Sequence, residues 1–151
     1  MAFGFHEVAC FIAIGLLGLF SFFLVTQKKG NRKANNILAL FLFLKCLSLV
    51  DYLIFHLRIE NPHVYFVLIP FGFLWGPSLY FYVRSMTYKN FRFKRQDLIH
   101  LIPFVLAGLY FTWLYHIRST ATKLAILTGV TEQIPVEEIV ITTTMQILIA
   151  L

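Results

Sequence analysis

Apolar residues run through this chain in long blocks rather than in the short alternations of a soluble core. Val8–Thr26, Ile37–Phe55, Tyr65–Val83 and Leu98–Tyr115 are four such blocks, each close to the roughly 20 residues a helix needs to cross a bilayer. A fifth begins near Glu138 and reaches Leu151. Transmembrane β-strands would show shorter segments of strict apolar–polar alternation, a pattern this sequence lacks. The pattern predicts an all-α, polytopic transmembrane helix bundle. It has four full spans plus the start of a fifth (residues 8–26, 37–55, 65–83, 98–115 and 138–151), in one membrane domain covering residues 1–151. About thirteen residues do not cross some 30 Å of hydrocarbon, so the sequence reads as a fragment of a longer protein or a truncated product.

Composition supports the class. Apolar residues make up 59% of the chain and charged residues 13%, where a soluble domain carries about a quarter charged. The first block is read as a retained helix, because the preceding "MAFGFHE" holds Glu7 and no lysine or arginine, unlike the positive start of a cleaved signal peptide. Cys10 and Cys46 both fall inside blocks and read as small buried hydrophobes rather than a disulfide or zinc pair.

Charge then orients the bundle. Nine of the thirteen basic residues lie in two loops: Lys28, Lys29, Arg32 and Lys33 in the first, and Arg84, Lys89, Arg92, Lys94 and Arg95 in the third. Glu7, Glu60, Glu132, Glu137 and Glu138 all fall on the other side. By the positive-inside rule the N-terminus is outside and the basic loops are cytoplasmic. Basic loops also suit nucleic acid, but "FRFKR", with Phe91 and Phe93 among its cations, better fits a segment on an anionic inner leaflet. The expected contacts with anionic headgroups are Arg84, Lys89, Arg92, Lys94 and Arg95. Outside, "KLAILTGV" (Lys123–Val130) is expected to form a short interfacial helix.

The second block carries the chemistry that most needs a reason. "FLFLKCLSLVDYLIF" buries Lys45 and Asp51 in a hydrophobic span, where each charge costs at least about 2.5 kcal/mol. At about 100° per residue, Lys45, Ser48, Asp51, Tyr52 and His56 share an arc of roughly 140°. That face must point into the bundle or a wet cavity. Lys45 and Asp51 stand about 9 Å apart along the axis. One reading is a buried charge pair that fixes how helices dock; a second is a ligand or proton site made of Lys45, Ser48, Asp51, Tyr52 and His56; the third, snorkelling without a partner, suits Lys45 poorly because it sits near the middle of the span.

The third block holds Pro70, Gly72, Gly76 and Pro77. Pro77 removes the hydrogen bond to the carbonyl of Phe73, which predicts a bend, either a static kink or a hinge at Gly76 and Pro77. Trp75 beside it reads as packing. Tyr80, Tyr82 and Tyr88 suit the inner interface, Asp97 is expected to cap the fourth span and Pro103 to kink it. Thr142–Thr144 and Gln146 offer hydrogen bonds within or between helices. His56, His63 and His116 share the outside and form a weak zinc candidate, with Glu60 nearby; otherwise no metal or cofactor is expected. No nucleophile–base pair, HExxH or phosphate loop occurs, so an enzyme is not expected.

One resemblance adds to these readings. "FGFLWGPSLYFYVRSMTYKNFRFKRQDLIHLIPF" (Phe71–Phe104), with "GNRKANNILALFLFL" and "DYL" before it, resembles the membrane-embedded N-terminal half of bacterial AraC-type transcriptional regulators. The matching stretch runs from about Gly15 to Tyr115. The resemblance implies a sensor of about seven spans in the bacterial inner membrane, followed by a cytoplasmic pair of helix-turn-helix motifs. It would therefore reach DNA only through a C-terminal domain that these residues do not contain. The partners expected are the bilayer, an unidentified small ligand and a second copy of the chain. The competing expectation is a transporter or channel subunit with Lys45 and Asp51 along its path.

Overall fold

The computed structural model describes residues 4–28, 30–56, 61–88, 91–120, 123–124 and 127. It contains helices and no strands among the described residues. Helix α1 spans Phe5–Thr26 and α2 spans Arg32–His56. A 3₁₀ segment, Ile69–Leu74, runs directly into α3, Trp75–Thr87. A second 3₁₀ segment, Arg95–Leu101, leads into α4, Ile102–Phe111, and a π-turn, Thr112–His116, closes it.

Three stretches are long and apolar enough to cross a membrane: Phe5–Thr26, Arg32–Phe55 and Arg95–His116. The third predicted block, Tyr65–Val83, is not one of them, which corrects the expectation of four full spans. Residues Pro62–Leu68 form turns, and Phe66 adopts a φ of 65°, a left-handed conformation uncommon outside glycine. Its ring lies against Phe55, Phe111 and Tyr115 at centroid distances of 5.4, 5.9 and 4.7 Å, and this aromatic packing holds the turn. The helix starts only at Ile69. Pro70 is its second residue and Pro77 the third residue of α3. Pro70 thus stands in a first turn, where a missing N–H matters least, while Pro77 stands just past the junction at which the 3₁₀ segment passes directly into α3. Pro103 likewise sits at the second position of α4. The fifth block and Lys123–Val130 lie wholly or largely outside the described residues.

Helices α1 and α2 pack antiparallel through small groups. The Ser21 hydroxyl donates to the Ala39 carbonyl at 2.9 Å, and the Cys46 thiol reaches the Ile14 carbonyl at 3.7 Å. Ser21 is the one buried residue of α1; Phe11, Leu19, Phe22 and Phe23 on its other faces are exposed, as suits a helix bathed in lipid. Two clusters sit at opposite ends of α2. Ile37, Phe81 and Phe91 form one; Ile54, Tyr65 and Tyr115 form the other. Ile37 and Ile54 are about 26 Å apart along the axis.

Candidate functional site

The polar face of α2 reaches α3 at Lys45. The Lys45 ammonium lies 3.3 Å from the centroid of the Trp75 ring and 5.8 Å from that of Phe41. Lys45 does not pair with Asp51, so the charge pair weighed from sequence is replaced by a cation over an indole face. The reason is geometric: nearly two helical turns separate the two side chains, while Trp75 faces Lys45 from the first residue of α3. A cation over tryptophan with little water around it is worth up to about 2 kcal/mol.

The rest of the face is less uniform than its helical wheel. Ser48 and Asp51 are half-buried, and one Asp51 carboxylate oxygen is buried with no hydrogen-bond partner among the described residues. The Trp75 indole N–H is buried and unpartnered as well. Tyr52 is 48% exposed, which places it at the rim. His56 ends the helix, and its side chain is outside the described residues. Buried polar groups are nearly always hydrogen-bonded, which sets this carboxylate oxygen and this indole N–H apart.

The predicted hinge residues sit beside this contact. Gly76 is exposed, and a Cβ built on it meets nothing within 4 Å. No close approach explains this glycine, and Pro77 follows it just past the junction of the 3₁₀ segment with α3.

At one end of the bundle the two basic loops come together. The Asn31 side chain accepts the Ala34 N–H at 3.3 Å, capping α2, and donates to the Ser85 carbonyl at 3.0 Å. The Lys33 ammonium donates to the Phe91 carbonyl at 3.1 Å. Arg84 donates to Asp97 at 2.7 Å, a hydrogen bond that holds the guanidinium above its ordinary range. Asp97 is the third residue of its 3₁₀ segment, not the cap: its other oxygen accepts the Lys94 N–H at 2.7 Å. Arg92, Lys94 and Arg95 are exposed, and Lys89 is outside the described residues.

At the opposite end Lys123 is 2% exposed. Its ammonium lies 3.0 Å from His63 Nδ1, donates to the His116 carbonyl at 3.0 Å, and rests 5.6 Å from the Tyr115 ring centroid. Tyr115, turned inward by the π-turn, donates to the Pro62 carbonyl. A lysine ammonium thus takes the His63 nitrogen assigned from sequence to the weak zinc candidate. Among the described residues no three ligating side chains converge; Glu60 is outside them.

From sequence Trp75 read as packing beside the bend, and nothing local identified Lys45 as its partner. The Arg84–Asp97 and Lys123–His63 contacts join residues 13 and 60 positions apart, and no local spacing announces them. No family model, curated protein or solved structure matches the chain.

Proposed function

We propose that the chain is the sensory membrane domain of an AraC-type transcriptional regulator of the bacterial inner membrane. Its N-terminus is outside, and it relays a signal to a cytoplasmic helix-turn-helix module encoded further along the gene. The observation that carries this reading is the contact between Lys45 and Trp75. It ties an ionisable group inside a span, a functional candidate by default, to the first residue of α3. The far end of α3 holds Ser85 against Asn31 and Arg84 against Asp97. A guest that binds Asp51 and Trp75 better in one placement of α3 than in another shifts that placement, and α3 carries the shift to the basic end. The resemblance of Phe71–Phe104 to that family supplies the downstream partner.

Reading the gene beyond the codon for Leu151 tests the proposal. A soluble region with two helix-turn-helix patterns is the expected result. An inverted repeat of these spans would overturn it in favour of a transporter, the reading that the open Asp51 oxygen also supports.

A further inference from the structure

Between the inner end of α3 and the extended residues Phe91–Lys94 lies an open groove of about 1010 Å³. Its wall includes Val83, Arg84, Tyr88, Phe91, Arg92 and Lys94. The cations in it are not equivalent. Arg84 is fixed by Asp97 and stacked over Tyr80 and Phe91, 5.9 and 5.5 Å from their ring centroids. Asp97, the acidic group at this end, spends one oxygen on Arg84 and the other on the Lys94 N–H. Arg92 and Lys94 have exposed side chains, and neither pairs with a carboxylate among the described residues. The groove therefore offers two unneutralised cations beside a guanidinium already held in place.

The surroundings decide what anion enters. Val83 is 54% exposed, Tyr88 63% and Phe93 62%, and all three border the same cations. A soluble polyanion would leave that apolar and aromatic surface uncovered. An anionic phospholipid satisfies both halves at once, with the phosphate on Arg92 and Lys94 and the glycerol and upper acyl chain along Val83 and Tyr88. The depth is also right. Tyrosines with basic side chains mark the interface of a membrane protein, and long cations hold their charge there while their stems remain in apolar surroundings.

We infer that this groove is a binding site for one anionic phospholipid, with Arg92 and Lys94 as the phosphate ligands and Arg84 as a prepositioned third donor. The inference is independent of the sensing role; it requires only that the chain sit in a membrane.

Native mass spectrometry of the full chain in detergent tests it, with phosphatidylglycerol and phosphatidylcholine added at equal concentration. Phosphatidylglycerol is expected to be retained in preference. The R92Q/K94Q variant is expected to lose roughly twenty- to thirtyfold in phosphatidylglycerol affinity, about fivefold per cation removed. K28Q/R32Q removes the same charge from the first loop, outside this groove, and should lose no more than a few-fold. Equal losses in the two variants, or no preference between the lipids, would overturn the site and leave only diffuse surface charge. Soluble glycerol phosphate at the same concentration is expected to leave the lipid in place. Displacement by it would overturn the lipid as occupant and make a soluble phosphate compound the ligand. All four substituted side chains are exposed, so the variants keep the fold that the comparison needs.

Discussion

At the scale of single residues, Lys45 is understood through its partner rather than its charge. An ammonium 3.3 Å from an indole centroid replaces part of its hydration with the electron-rich ring face, and this makes a lysine tolerable in mid-span. A double-mutant cycle on Lys45→Met and Trp75→Leu, read from unfolding in detergent, is expected to give a coupling of about 0.5–2 kcal/mol. A coupling near zero would mean that the two side chains are merely adjacent. Asp97 works differently, because one carboxylate holds both Arg84 and the Lys94 N–H. Asp97→Asn is expected to lower the melting temperature, and the drop should shrink in high salt because part of the interaction is an ion pair that is only half-buried. A salt-independent drop would assign the effect to the Lys94 hydrogen bond alone.

Among the elements, α1 packs along α2 with few buried side chains. Ser21 is its one buried residue, and its hydroxyl reaches Ala39 on α2, itself 1% exposed. Small residues let two backbones approach, and interhelical hydrogen bonds in membranes average about 0.6 kcal/mol. Ser21→Ala should therefore lose about that much. Ser21→Leu should lose about 1–3 kcal/mol, because the added bulk has nowhere to go at a close contact. If the leucine variant is as stable as the alanine one, the two helices do not pack at Ser21. The third predicted span is a different case. Its prolines and glycines suggested a kink, and Pro77 with Gly76 stands where the 3₁₀ segment Ile69–Leu74 passes into α3. Gly76→Ala meets open space and should stabilise the protein by about 0.5–1 kcal/mol. A loss of stability instead would show that residue 76 leaves its helical conformation for part of the time, as a hinge must.

On the scale of the whole molecule, the bundle has two chemically different ends. One carries Arg32, Lys33, Arg84, Arg92 and Lys94 around Asn31 and Phe91; the other carries His63, His116 and Lys123 around Tyr115. Lys33 and Ile54 stand about 31 Å apart along α2, the thickness of a hydrocarbon core. With Cys10 and Cys46 replaced by alanine, a membrane-impermeant maleimide should label His63→Cys on intact cells and Lys94→Cys only after permeabilisation. The reverse pattern would invert the orientation.

How much of this was legible beforehand follows from the range of the forces involved. Blocks of apolar residues determine that helices form and enter lipid, because every backbone polar group must be satisfied within the segment once water is gone; α1, α2 and the stretch through α4 were readable on that ground alone. The unequal charge of the loops was equally plain, as was the strip of polar side chains on α2. Tertiary structure decided the rest. It set Trp75 on Lys45, left an Asp51 oxygen open, closed the turn at Phe66 under three aromatic rings, and joined two basic loops through Asn31–Ser85 and Lys33–Phe91, contacts 54 and 58 residues apart. Helical periodicity reports which side chains share a face, but the identity of the facing partner depends on how helices distant in sequence come to pack.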